Sequence, residues 1–139
     1  VSLTLTAKVA CADYGGLSLS EDDLTLISRA VRAEAKEECY LVKVCVTSMI
    51  LNRIKDELFP NDAASVVLER GAFRVADRRT ICERVDDDEL LEYTLLSKLV
   101  YENGIDPTCG ALFCFTEGDN DADYFNVTIE VDGLYFAKP

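Results

Sequence analysis

In a chain without a single histidine, proton transfer falls to carboxylates, thiols, lysines and tyrosines. That absence removes Ser-His-Asp and Cys-His nucleophilic systems, and with them the usual histidine-containing catalytic zinc sites. Within what remains, the stretch RAVRAEAKEE (29–38) sets carboxylates along the apolar side of an amphipathic helix. At about 100° per residue, Leu24, Ile27 and Val31 share one face of the helical wheel. Glu34 falls roughly 50° from the centre of that face and Glu38 nearly on it, whereas Glu37 points elsewhere. Two readings follow. Either the helix leaves the core there and both glutamates are solvated, or one of them is half-buried. Desolvation disfavours the charged form, so a half-buried carboxyl holds its proton to higher pH and can serve as a general acid. Glycosidic bond cleavage most often uses such a group, because the leaving sugar oxygen has to be protonated.

The bulk properties narrow the partners. With 26 acids against 14 bases, the net charge is −12, which argues against nucleic acid and against an anionic membrane surface. No apolar run is long enough to span a bilayer, so membrane insertion is not expected. The opening VSLTLTAKVA is too short, and lacks the charged front, for a complete signal peptide. The acidic runs DDDE (86–89) and EGDNDAD (117–123) read as a solvated helix start and a solvated loop; the second lacks the spacing and closing glutamate of an EF-hand loop. No C-x-x-C occurs among the six cysteines, so neither a zinc ribbon nor a thioredoxin-like motif is supported. Cys39, Cys45, Cys109 and Cys114 lie in apolar runs and read as free, buried, small hydrophobes, with one or two disulfides left open if the protein is exported. No metal or other cofactor is called for.

The elements that must carry these residues can be traced along the chain. Residues 1–19 lack a helical period and read as a tail or linker ahead of a domain over 20–139. Ser20, followed by Glu21, Asp22 and Asp23, marks a helix start, and that helix is expected to run to about residue 37. Residues 40–58 are apolar almost all round, as in a central buried helix, and Phe59-Pro60 stops it. A short helix is expected over 61–71, irregular chain over 72–85, and a fourth helix over 86–104 with Leu91, Leu95 and Leu99 or Val100 on its apolar side. Then the period changes. GALFCFTE (110–117) reads as a buried strand, DYFNVTIEV (123–131) alternates with Phe125, Val127, Ile129 and Val131 on one face, and Asp132-Gly133 signals a hairpin into LYFAK (134–138). The expected class is α+β, mainly helical, with a small antiparallel sheet at the C-terminal end.

Several blocks in a fixed order then carry a resemblance. They are Ala33-Glu34-Ala35-Lys36 with Glu38, Leu51-Asn52-Arg53, Phe59-Pro60, Gly71-Ala72-Phe73, and DPTCGALF from Asp106 to Phe113. Together they resemble the catalytic domain of the spore cortex-lytic and cell-wall hydrolase family (the SleB/CwlJ type). The resemblance covers about residues 24–116. It implies a lysozyme-like or lytic-transglycosylase-like domain acting on peptidoglycan glycan strands, with Glu34 as the single catalytic acid/base and 1,6-anhydromuramic acid as product. It implies a monomeric enzyme outside the cytoplasm, at the spore envelope or cell wall, and leaves room for an accessory protein or targeting domain. Glu38, Asn52, Phe73, Phe113, Phe115 and Tyr135 are the candidate substrate-binding residues, the aromatic ones as a sugar-stacking wall or, as such residues more often are, core. Arg53 is expected to pair with a nearby acid, a pair at the surface being the plainer case. The chain departs from the family pattern at Arg32, Glu37, Val42, Lys43, Arg78, Cys109 and Thr116. Two rival functions stay open: a wall-binding or regulatory module that kept the fold, and a hydrolytic muramidase or glucosaminidase.

Overall fold

The computed structural model describes residues 12–69, 78–118 and 123–139. Among these residues five helices precede three strands: α1 Glu21–Ala35, α2 Tyr40–Lys55, α3 Ala63–Val67, α4 Arg78–Ile81, α5 Asp87–Asn103, β1 Phe113–Thr116, β2 Asn126–Val131 and β3 Leu134–Lys138. The α+β class and the helix-then-sheet order agree with the sequence reading. The Gly71-Ala72-Phe73 block, and Phe73 with it, lies outside the described residues, as does most of the acidic loop 117–123.

Local chemistry sets the helix ends. The Asp23 N–H donates to Ser20 Oγ at 3.1 Å and the Ser20 N–H donates to Asp23 Oδ2 at 2.9 Å, a reciprocal capping box. Asp62 caps α3 by accepting from the Ser65 N–H at 2.8 Å, and its exposed carboxyl is held below the usual range by bonding to Ser65. Gly104, at φ +61°, ends α5 in the left-handed conformation.

Helix α2 is the central element. Val42 and every residue from Val44 to Ile54 are buried, so it brings Asn52 and Arg53 into the interior along with the apolar side chains. Helix α1 packs on α2 and on α5. At the α1–α5 contact, Ser28 Oγ lies 2.9 Å from Ser97 Oγ and 2.6 Å from the Leu24 carbonyl, which accepts from it.

Several expectations are corrected here. Residues 12–19 do not form a tail: Tyr14 is 1% exposed in the core, Leu17 and Leu19 pack against that core, and the Ala12 N–H donates to the Gly104 carbonyl. The buried side of α5 is Tyr93, Leu96, Ser97 and Val100, while Leu91, Leu95 and Leu99 are exposed. That helix carries two apolar stripes, and the small Ser97 selects the one that fits close against α1. In the sheet, order β1-β3-β2 and antiparallel throughout, a register shift between Val127 and Ile129 breaks the alternation and leaves Val127 exposed. The predicted hairpin is present, with Asp132 and Gly133 both at positive φ (49° and 83°), as a tight turn of this twist requires.

The cysteines also differ in part from expectation. Of the five described ones only Cys45 is buried; Cys114 is half-buried, and Cys39, Cys82 and Cys109 are exposed. Cys39 sits at the N-cap of α2, and Cys109 in the turn before β1, at φ +53°. A side chain in that conformation is strained by about 1–2 kcal/mol, part of which glycine gives back as unfolded-chain entropy. Cys109→Gly is therefore expected to stabilise the domain by about 0.5–1 kcal/mol, raising Tm by about 2–4 °C in a thermal melt. Cys109→Ala keeps the Cβ and should leave Tm unchanged.

Candidate active site

Glu34 lies in the last turn of α1 and is half-buried, whereas Glu37 is exposed. The helix closes with the Lys36 N–H on the Arg32 carbonyl, and the Glu38 N–H donates to the Ala35 carbonyl at 3.0 Å in the turn that follows. Arg32 fixes this end of α1 from the outside. Its Nη1 donates to Glu83 Oε1 at 2.6 Å and its Nε to Glu89 Oε1 at 2.7 Å, and those two bonds raise the guanidinium pKa. The departure from family pattern at Arg32 is thus a strut toward α5. Arg32→Ala should cost about 1–2 kcal/mol at low ionic strength, measured by urea unfolding, and clearly less in about 0.5 M salt.

Near its C-terminal end, α2 delivers the buried polar residues Asn52 and Arg53. Asn52 accepts the Tyr14 hydroxyl at its Oδ1 (2.9 Å) and donates from Nδ2 to Asp106 Oδ2 (3.0 Å) and the Ala111 carbonyl (3.1 Å). The Asp106 carboxylate, 2% exposed, also accepts from the N–H groups of Thr108 and Gly110 and from the Thr108 hydroxyl. Burial, then the nearby Asp106 charge, pushes the Tyr14 hydroxyl far above its ordinary pKa, so it stays a proton donor. This network shapes the turn from Asp106 to Leu112 that leads into β1. With both ends of its amide engaged, Asn52 is placed to hold that turn.

Arg53 is not at the surface; it is 7% exposed. Its Nε donates to the Leu112 carbonyl at 2.7 Å, and its guanidinium carbon lies 4.9 Å from the Phe59 ring centre and 6.0 Å from that of Phe113. Burial lowers its pKa, against the opposing influence of Glu69, Cys114 and Glu34.

The aromatic side chains form a continuous run. Phe113 lies 4.5 Å from Phe125 and 6.1 Å from Phe59, Phe115 lies 6.3 Å from Phe125, and Phe115 stacks on Tyr135 at 5.8 Å with 13° between the planes. The predicted Phe113, Phe115 and Tyr135 are thus brought together; Phe115 is buried and the other two half-buried. Phe59 and Phe125 belong to the same run and were missed as site residues. The Phe-Pro pair and the alternation of 123–131 were the signals that could have found them. Glu38 is half-buried in the turn after α1. Among the described residues, no cluster of acids and cysteines could hold a metal ion, and no helix is long and apolar enough to cross a membrane.

Comparison with known proteins gives this geometry a context. Residues 37–133 match the family model described as Cell Wall Hydrolase; the match begins three residues after Glu34. A spore cortex-lytic enzyme of Halalkalibacterium halodurans is 32% identical over 121 residues, 86% of this chain and 32% of the relative. One of Bacillus subtilis (strain 168) is 36% identical over 108 residues, 77% of this chain and 33% of the relative. The chain therefore spans about a third of the length of the curated relatives it matches. Among solved structures, the catalytic domain of the Bacillus cereus SleB protein superposes with a TM-score of 0.68 at 26% identity, over 87% of this chain and 93% of that one. The catalytic domain of the germination-specific lytic transglycosylase SleB from Bacillus anthracis gives 0.59 at 23% identity over 87% of this chain and 98% of that one, a likeness of fold. With the family model matched over well over half its residues, and a solved catalytic domain of the same fold, this chain belongs to the cell wall hydrolase family.

Proposed function

We propose that this domain cleaves the bond between N-acetylmuramic acid and N-acetylglucosamine in peptidoglycan, as a lytic transglycosylase with Glu34 as its one acid/base. The supporting observation is the half-buried Glu34 at the end of α1, in a domain whose sheet carries a run of aromatic rings from Phe113 to Tyr135. In the first step the Glu34 carboxyl gives its proton to the glycosidic oxygen as the C1–O bond breaks, and positive charge develops at C1. In the second, the Glu34 carboxylate takes the proton of the muramic C6 hydroxyl while that oxygen bonds to C1, closing the 1,6-anhydro ring. The sugar supplies its own nucleophile, so no second carboxylate at a fixed separation is required.

Phe113, Phe125 and Tyr135 are the rings this reading sets against sugar faces; Asn52 and the buried Phe115 act behind them. Glu38 keeps a lesser, substrate-side role. The relatives named as spore cortex-lytic enzymes favour the spore cortex as the wall concerned and a site of action outside the cytoplasm. The test is digestion of purified cortex and of vegetative peptidoglycan, with products identified by mass spectrometry. Anhydromuramic ends support the reading, reducing ends move it to a hydrolase, and intact glycan from every wall tried leaves a wall-binding module.

A further inference from the structure

We propose that Tyr135 and Glu130, on the face of the sheet turned away from the helices, form a sugar subsite that takes an N-acetylglucosamine residue of the glycan strand and turns away an N-acetylmuramic acid residue. Such a subsite rests on the glycan reading proposed above and adds a sugar preference to it. The strand register divides the sheet into two faces. Cys114, Ile129, Val131, Leu134 and Phe136 pack on the helical core. Phe115 pairs with Tyr135, and Tyr135 with Glu130, so these three form one row across β1, β3 and β2 on the opposite face. Phe113, Ala137 and Val127 form the next row. Toward β1 that face is filled: Phe125 lies 4.5 Å from Phe113 and 6.3 Å from the buried Phe115. Toward β2 it is open: Val127 is 43% exposed, Glu130 is exposed and Tyr135 is half-buried.

The open part of the row suits one pyranose ring. Neighbouring strands lie about 4.8 Å apart, so Tyr135 and Glu130 stand about one sugar width from each other. Both side chains are set before a ligand arrives. Tyr135 stacks on Phe115 at 5.8 Å with 13° between the planes, and a fixed aromatic plane can cover the C–H face of a hexosamine. Glu130 Oε1 accepts from the Gly133 N–H at 3.0 Å, which anchors the carboxylate across the hairpin turn. A carboxylate held by one oxygen can accept from a sugar hydroxyl or an acetamido N–H with the other, and its charge strengthens that bond. N-acetylglucosamine offers both donors and carries no charge. N-acetylmuramic acid has a lactyl ether in place of the C3 hydroxyl, so one donor is lost and a carboxylate or a peptide stands in its place. Like charges brought together are disfavoured, and Glu130 selects against that sugar. A protein partner fits less well, because the open apolar surface here is confined to Val127 and Tyr135. The two sugars alternate along a glycan strand. Where one strand spans this subsite and Glu34, a position that takes only one sugar fixes the register, and with it which glycosidic bond meets the acid.

The test measures binding apart from cleavage, by NMR titration of the Glu34→Gln protein with chitotetraose, an N-acetylglucosamine oligomer, and with a peptide-free peptidoglycan tetrasaccharide. Added Tyr135→Leu is expected to weaken chitotetraose binding at least about tenfold, and Glu130→Ala at least about fivefold. Glu130→Gln keeps an acceptor for the Gly133 N–H but loses the charge. It should bind chitotetraose about threefold more weakly, and its preference for chitotetraose over the muramic-containing oligomer should shrink. Circular dichroism and thermal melts check each fold; Glu130 is exposed, so its variants carry the test even if Tyr135→Leu fails to fold. Unchanged Kd in both Glu130 variants, no binding of chitotetraose at up to about 10 mM, or no preference between the two oligomers would overturn the inference, and cleavage by wild type would still support Glu34. Binding that falls in the variants as stated, beside a wild type that cleaves no glycan, would keep the subsite and reject the cleavage.

Discussion

Glu34→Gln should remove cleavage while leaving the fold intact: a loss in kcat of about 10²–10⁴-fold, with Tm within about 2 °C of wild type. Glutamine keeps the shape and polarity of the side chain but neither gives a proton to the glycosidic oxygen nor takes one from the C6 hydroxyl. Both steps of the proposed mechanism use the same carboxyl, so neither is spared. The neighbouring acids offer no substitute. Glu37 is exposed beyond the end of α1, and Glu38 sits in the turn after it. Glu38→Gln should accordingly change kcat by less than about fivefold, a secondary effect of the kind expected from binding contacts. Comparable losses in the two variants, measured on the same soluble glycan, would count against Glu34 as the single acid/base.

The second large effect concerns stability. Asp106→Ala should destabilise the domain by about 3–5 kcal/mol and lower Tm by about 10–20 °C. Its carboxylate is buried and accepts from Asn52 Nδ2, the Thr108 and Gly110 N–H groups and the Thr108 hydroxyl. Alanine strands those donors in a region with little access to water, and the cost of unmet buried donors exceeds the net worth of the bonds. Tyr14→Phe, which leaves one acceptor of Asn52 unmet, should cost about 1–2 kcal/mol in the same urea titration. A loss below about 1 kcal/mol for Asp106→Ala would mean the turn from Asp106 to Leu112 is held by its backbone alone. Function should follow, because that turn presents the Leu112 carbonyl to Arg53.

These residues differ in how far the sequence revealed them. Glu34 was legible because a helical wheel places it beside Leu24, Ile27 and Val31, and α1 does follow that face. Ser20 and Gly104 marked helix ends through their own backbone and side-chain chemistry, which acts within a few residues and so survives in sequence. What escaped depends on contacts between distant segments. Nothing local in YGGLSLS tells that Tyr14 crosses to Asn52, 38 positions away. Arginine is rarely buried, so the burial of Arg53 follows only from the meeting of α2, the Leu112 carbonyl and the Phe59 and Phe113 rings. The choice of stripe on α5 turns on one small residue, Ser97, meeting Ser28. The β2 register shift is likewise a property of the pair of strands rather than of either sequence alone.

The origin of the new bond at C1 separates a transglycosylase from a hydrolase most directly. Digestion of purified peptidoglycan in water enriched in heavy oxygen, followed by mass spectrometry of the released muramic ends, reads this out. Unlabelled 1,6-anhydro ends, formed by wild type and not by Glu34→Gln, are the predicted result. Reducing muramic ends carrying one solvent oxygen, or anhydro ends that Glu34→Gln still produces at the wild-type rate, would contradict it.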